Sequence, residues 1–378
     1  MKIGILTQPL LNNYGGLLQN YALQKILIDL GHEPLTINIV YSKNNPLKDM
    51  INLSIRVLLK ISGRKIRVFN TTPSEQESNY ISQYTSQFVA NYIKTTKLIK
   101  RKVNSELLNE YNFGAYIVGS DQVWRSIYSP QLSTYFLDFV KENNSIRNIA
   151  YSASFGIEEW QFNKKQTKKF GELLQKFDAI SVREDTAVKL CKKYFNVNAT
   201  HLLDPTMLVE KDVYTSIVEK IKVNQSPGNL FTYILDKSFE KNKIVEEIAN
   251  KYELTPFSVM PLINYHEPGE RNLNDCVYPP LEKWLRGFID AKFVVTDSFH
   301  GTIFSILFNK PFITLVNRNR GLCRFTSLLN LFNLEYRLID PFNIKDFTKL
   351  KEIEWEKINS ILSREKNKSI QFLKKHLS

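Results

Sequence analysis

Phe293-Val294-Val295-Thr296-Asp297-Ser298-Phe299-His300-Gly301-Thr302 is a β-branched apolar run that stops abruptly in Asp-Ser-Phe-His-Gly. A second apolar run, Thr302 to Phe308, follows; after Lys310-Pro311 a third runs from Phe312 to Val316. The pattern reads as strand, tight turn, helix, strand. Asp297 or Ser298 can cap the helix, whose first N–H groups then face outward. A helix N-terminus with a histidine in its first turn can hold an anion and move a proton beside it. Asp297 either orients His300 or caps the helix, and Gly301 would let a ligand approach the backbone.

The same grammar extends outward in both directions. Lys2 to Thr7 reads as a buried strand, Gln8 to Gly16 as a polar turn, Leu17 to Leu30 as a helix closed by Gly31, and Leu35 to Val40 as the next strand. Strands over Ala115–Gly119, Ile146–Ser152, Ala179–Val182 and His201–Leu203 each end in polar residues: Ser120-Asp121, Ser154, Arg183-Glu184 and Asp204. Ligands of open α/β sheets bind in the crevice beyond such strand ends. Residues 209–228 read as a polar helix and linker, and a second alternating set starts at Asn229–Leu235. The expected fold is therefore α/β, with two doubly wound domains facing across a cleft. The boundaries are 1–208 (acceptor side), 209–228 (linker region), 229–344 (donor side) and a helical tail, 345–378. In that tail Phe347, Leu350, Ile353, Ile358, Ile361 and Leu362 would face inward.

Composition narrows the chemistry. The chain of 378 residues suits two domains. Its 51 Lys and Arg against 38 Asp and Glu leave a formal charge of +13, which favours anionic partners. Cys191, Cys276 and Cys323 are scattered, and neither they nor the five histidines show metal spacing, so no metal and a reducing cytoplasm are expected. No apolar run approaches the ~18 residues of a membrane span. Within 43–68, Leu47, Ile51, Ile55 and Leu58 share a helical face, with Lys48, Arg56, Lys60, Arg64, Lys65 and Arg67 around it. That segment is either a membrane-surface helix, placing the protein peripherally at the inner face of a membrane, or an ordinary amphipathic helix. The charge permits nucleic-acid binding, but no motif for it appears.

Six segments together resemble the polysaccharide pyruvyl transferase family: Asn13–Gln24, Val118-Gly119-Ser120-Asp121-Gln122-Val123-Trp124, Ala150–Gly156, Ser181-Val182-Arg183-Glu184, Leu203-Asp204-Pro205-Thr206 and Thr296–Thr302. The resemblance implies two Rossmann-like domains arranged as in GT-B glycosyltransferases. It also implies transfer of the pyruvyl group of phosphoenolpyruvate to sugar hydroxyls, usually as a cyclic ketal. Acceptors would be bacterial cell-surface glycans (exopolysaccharide or capsule) or their lipid-linked precursors. Phosphoenolpyruvate would be the donor substrate, with no cofactor. Two positions depart from the family: Ser298 stands where some members have an arginine for the donor, and Arg125 stands where asparagine is frequent.

On this reading His300 transfers a proton, and Arg183, past a strand end, binds a carboxylate or phosphate or else forms a structural ion pair with Glu184 or Asp185. Ser298, His300, Gly301, Arg320 and Arg324 complete the donor subsite; the cluster Arg318, Arg320 and Arg324 either supplies the charge absent at Ser298 or is a solvated basic loop. Asp121 is the candidate base for a sugar hydroxyl or a helix cap. Tyr14, Gly15, Gly16 and Gln19 would meet the acceptor; Trp124 would stack on a sugar or fill the core. The alternatives are a GT-B glycosyltransferase using a nucleotide sugar and, remotely, a basic nucleic-acid-binding protein.

Overall fold

The computed structural model describes the whole chain except residues 41–45, 64–71, 141–144, 268–271 and 343–349; residues 46–52 and 319 are described as backbone. Arg64, Lys65, Arg67 and Phe347, invoked above, lie outside the described residues.

Two parallel sheets organise the molecule. The first contains β1 (Lys2–Leu6), β2 (Glu33–Thr36), β3 (Ala115–Val118), β4 (Arg147–Ala153), β5 (Ala179–Val182) and β6 (Thr200–His201), in the order β2-β1-β3-β4-β5-β6. The second contains β7 (Leu230–Tyr233), β8 (Pro256–Phe257), β9 (Phe293–Thr296), β10 (Phe312–Leu315) and β11 (Leu338–Ile339), in the order β11-β10-β9-β7-β8. All described pairings within both sheets are parallel. The winding is the same in both: the first strand of each sheet lies between its second and third. Each sheet therefore has one topological switch point, between β1 and β3 and between β7 and β9, where a crevice opens beyond the strand ends. This is the two-domain α/β fold expected from the alternation of apolar runs.

Local chemistry sets the elements. The first helix, Tyr14–Asp29, ends where Gly31 adopts φ +84°; Gly31 N–H donates to Ile28 O (2.9 Å) and His32 N–H to Leu27 O (2.9 Å), a Schellman closure. The helix starts at Tyr14, so Gly15 and Gly16 lie in its first turn rather than in a preceding loop. The helix Phe299–Leu307 buries all nine of its residues. It is apolar around its circumference because its own sheet covers one side and the other domain covers the opposite side.

The domains share one apolar core. It runs from Ile3 and Leu23 through Met207 and Tyr214 to Trp284 and Phe304. Tyr214, on the helix Lys211–Lys220 that joins the domains, meets Phe304 edge-on at 5.0 Å. The tail forms one helix, Trp355–Leu377, that returns to the first domain. There Ser369 Oγ accepts from Leu203 N–H (3.2 Å), Phe372 lies beside Tyr151, and Leu373 and Leu377 are buried. A backbone contact also joins the halves: a Cβ on Gly321 (φ +85°) would fall 1.7 Å from the carbonyl oxygen of Gly156. Only glycine fits both that conformation and that approach.

Candidate active site

The two switch points meet. Beyond β9, Ser298 caps the helix, its Oγ accepting from Gly301 N–H at 3.3 Å. Asp297 has another task. Its fully buried carboxylate accepts from Leu235 N–H (2.6 Å), Asp236 N–H (3.1 Å), Lys241 Nζ (2.7 Å) and Asn317 Nδ2 (3.0 Å). It ties the end of β9 to the end of β7 and does not orient His300. Gly301 serves packing: a Cβ there would lie 2.2 Å from Thr296 Oγ1, so the close approach is by its own strand.

His300 reaches across to the first domain. Its Nε2 lies 3.5 Å from Asp204 Oδ2, close enough for charge attraction and long for a good hydrogen bond. Its Nδ1 edge lies against Gly15, where an added Cβ would be 2.0 Å from Nδ1. Gly15 thus makes room for the imidazole rather than for an acceptor.

Asp204, which the sequence reading left without a role, organises the centre. Its carboxylate accepts from Arg183 Nη1 (2.9 Å), Ser120 Oγ (2.8 Å), Thr206 N–H (3.0 Å) and Thr206 Oγ1 (2.7 Å). Burial by itself would raise the carboxyl pKa, but His300, Arg183 and the Thr206 hydroxyl together hold it well below the usual carboxylate range. The stability this confers is complete above the ordinary value of about 3.9 and is lost as pH falls below it toward the folded value. Asp204→Asn is expected to cost about 2–3 kcal/mol at neutral pH, since Arg183 is left buried and poorly paired. It should also flatten the acid limb of stability below about pH 4; urea unfolding at neutral and acid pH measures both. The available signal was the Leu203-Asp204-Pro205-Thr206 strand end, which reads equally as a local cap.

Arg183 is buried behind the crevice wall. Besides Asp204 it lies 4.0 Å from Asp121 Oδ1, and its guanidinium covers the Phe299 ring at 4.5 Å. The crevice itself is a cavity of about 100 Å³ lined by Asn13, Asp121, Gln122 and Tyr128 from the first domain and Leu235, Asp297, Ser298, Phe299, His300, Arg320, Arg324 and Phe325 from the second. Arg183 is absent from that lining. Its ion pair is with Asp204, not with the adjacent Glu184 or Asp185.

Arg324 occupies the cavity wall. Its guanidinium stands 5.3 Å over Phe299, and burial together with the nearby Arg183 brings its pKa down to about 10. One Nη2 donates to Arg320 O, while Nε has no hydrogen-bond partner among the described residues. A buried, crowded guanidinium with an unused donor favours an incoming anion. Arg320 is held bidentate by Asp236 (Nε 2.7 Å, Nη2 2.8 Å), and this pairing pulls the Asp236 carboxyl down to about 2.

Asp121 lines the opposite wall at φ +97°, a strained conformation for a residue with a Cβ. Its Oδ1 accepts from Gln122 N–H (2.8 Å), and Asn13 Nδ2 lies 3.4 Å from Oδ2. The following segment is a turn, so Asp121 caps no helix.

The remaining acceptor candidates are internal. Tyr14 is fully buried, its hydroxyl donating to Pro279 O (2.5 Å) and its ring set among Tyr233, Tyr278 and Trp284 of the second domain. Gln19 Nε2 donates to Thr7 Oγ1 (2.8 Å) and Gly16 O (3.0 Å). A Cβ on Gly16 would meet Asn13 Nδ2 at 2.7 Å. Trp124 stacks on Phe136 in the core, its Nε1 donating to Tyr135 O (2.9 Å), and presents no face to a sugar. The roomier space lies elsewhere. A cavity of about 460 Å³ is bounded by residues 234–237 after β7 and 260–267 after β8, by Cys276 and Tyr278, and by Asn12, Pro73, Ser78 and Ile81 of the first domain. Leu235 lines both cavities. Among the described residues no cluster of His, Cys, Asp and Glu is arranged to hold a metal, and no helix is long and apolar enough to cross a membrane.

A family model described as polysaccharide pyruvyl transferase matches residues 13–319. No curated protein matches the chain. Similar solved structures include a glycosyltransferase from Rickettsia africae ESF-5 (11% identity, TM-score 0.42, covering 100% of this chain and 94% of that one). Others are a UDP-GlcNAc 2-epimerase from Neisseria meningitidis bound to UDP-GlcNAc (10%, 0.44, 100% and 99%) and a putative UDP-N-acetylglucosamine 2-epimerase from Listeria monocytogenes (11%, 0.47, 98% and 90%).

Proposed function

This chain belongs to the polysaccharide pyruvyl transferase family, and we propose that it moves the pyruvyl group of phosphoenolpyruvate onto sugar hydroxyls of a glycan, forming a cyclic ketal and releasing phosphate. One observation carries the donor assignment. The buried guanidinium of Arg324, with an unused Nε–H, shares a cavity of about 100 Å³ with His300, at the N-terminus of a helix. The cavity walls offer what a phosphate and a carboxylate need.

The chemistry follows from that placement. Arg324, with Arg320 beside it, supplies the charge absent at Ser298. With Nε2 turned to Asp204, Nδ1 is the nitrogen of His300 left to give a proton. Protonation of the donor's methylene carbon makes a methyl group and an oxocarbenium-like centre. Asp121, on the opposite wall, accepts the proton of the first sugar hydroxyl as its oxygen bonds to that centre. The phosphate leaves, the second hydroxyl closes the ring, and its proton departs with the phosphate. The proton that His300 gives to the methyl carbon is restored, through solvent, by the one Asp121 takes from the first hydroxyl, so over a cycle the two hydroxyl protons balance those gained by the methyl group and the phosphate. Arg183 acts through Asp204, fixing the carboxylate against which His300 rests. The acceptor would enter from the larger cavity, whose wall Leu235 shares.

Phosphate release with phosphoenolpyruvate and a glycan, with gain of a pyruvyl mass on the glycan, tests the reaction. Turnover of a nucleotide sugar in its place would make the chain a glycosyltransferase. Arg324→Ala is expected to weaken phosphoenolpyruvate binding by about 10- to 100-fold, the loss of one or two charged hydrogen bonds. Titration calorimetry with phosphoenolpyruvate reads this directly, and unchanged affinity would remove Arg324 from the donor subsite.

A further inference from the structure

An ion pair joins the walls of the two cavities. Asp236 lines the larger cavity and Arg320 the smaller, and beside their bidentate pair Leu235 lines both. The Asp236 carboxylate is fixed on one side only. Its Oδ2 accepts from Asn317 Nδ2 (2.6 Å) and Arg320 Nε (2.7 Å), and among the described residues its Oδ1 accepts from Arg320 Nη2 alone (2.8 Å). A carboxylate can accept about four such bonds. The side chain is 43% exposed, so Oδ1 keeps a lone pair for a donor from outside the protein. The pairing with Arg320 keeps the group ionised at any working pH.

The rest of the larger cavity indicates what that donor is. Its volume of about 460 Å³ is that of a small-molecule site. The charged side chains in its lining are Asp236 and Glu267 against Lys237, which leaves no cationic surplus for a phosphate or diphosphate. The smaller cavity, by contrast, has two arginines and a histidine. Ser78 and Asn264 add uncharged polar groups, while Leu235, Met260 and Tyr278 add apolar surface. A neutral ring with hydroxyls at its edge and C–H groups on its faces matches that mixture.

We propose that the larger cavity is the acceptor subsite, that it takes an uncharged pyranose, and that Asp236 holds this sugar by accepting from its hydroxyls. This rests on the transferase reading and adds to it the acceptor's charge and a residue that binds it. Asp236 is a binding residue; the hydroxyls that react are those presented to Asp121. Because Asp236 and Arg320 share one pair, a donor anion drawn to Arg320 loosens Asp236 for the sugar, and binding of either substrate favours the other.

Saturation-transfer NMR on the full-length protein tests this, with methyl β-D-galactopyranoside, methyl α-D-mannopyranoside and methyl α-D-glucopyranoside as probes and UDP as the anionic alternative. At least one glycoside is expected to bind. Asp236→Asn should weaken that binding about tenfold or more, the loss of a charged hydrogen bond, while phosphoenolpyruvate affinity by calorimetry stays within about threefold. Ser78→Trp, on the helix Glu75–Ile81 of the first domain, fills the cavity from its far wall and should abolish glycoside binding, again with phosphoenolpyruvate affinity kept. Binding of none of the three glycosides would overturn the proposal, as would UDP binding that Ser78→Trp abolishes. So would an Asp236→Asn variant that loses phosphoenolpyruvate affinity and keeps the glycoside, since Asp236 would then serve only to hold Arg320. Sugar and donor are titrated separately, so failure of the donor reading would show as absent phosphoenolpyruvate binding with glycoside binding intact.

Discussion

Replacing His300 by asparagine is expected to lower turnover by about 10²–10⁴-fold, the range for loss of a positioned proton-transfer group. The fold should survive. Asp204 keeps Arg183, Ser120 and both Thr206 donors, so its buried charge remains satisfied when the imidazole goes. The stability change should stay within about 2 kcal/mol. Phosphoenolpyruvate affinity should fall less than about tenfold, because the Arg324 guanidinium is untouched. Steady-state phosphate release, a melting curve and donor titration separate these effects. A variant that turns over near the wild-type rate would show that the cavity is not the reaction centre.

The parts of the fold that were legible in sequence are those whose causes are local. The run Phe293–Thr296 is a strand because four β-branched or aromatic residues are buried on both faces, and the turn after it is set by one serine cap. The alternation of short apolar runs with helices conveyed the two parallel sheets. The Tyr14 helix was read as starting late because Gly15-Gly16 resembles a turn and glycine is a poor helix residue. What keeps a glycine there is an imidazole from the other domain, and local sequence has no access to that contact. Asp204 escaped for the same reason: its partners Ser120, Arg183 and His300 come from three separate strand ends. Trp124 shows the converse. It sits next to a strand-end aspartate, as a sugar-stacking residue would, yet packs on Phe136. The larger cavity is built partly from the irregular segment 260–267, which carries no periodicity to read.

Gly15→Ala should abolish activity about as completely as removing His300, although the substitution adds a single methyl group. The added Cβ would lie 2.0 Å from Nδ1 and 2.7 Å from Cβ of the imidazole, distances that no packing tolerates. The first turn of the helix cannot easily yield. Tyr14 is fixed by its bond to Pro279 O and by three aromatic neighbours of the second domain. His300 must therefore rotate away or the domain interface must open, and either change breaks its alignment with Asp204. The expected loss is about 10² or more in turnover, since displacement of a catalytic group by even an ångström has effects of that size. The stability cost should be smaller, about 1–3 kcal/mol of overpacking, partly offset by alanine's better helix propensity. Combining Gly15→Ala with His300→Asn tests the cause. If Gly15 matters only by housing the imidazole, the double variant is no slower than His300→Asn alone, because the two substitutions remove one function. A multiplicative loss would mean that Gly15 meets a substrate directly, restoring the acceptor contact that its position against His300 argues against.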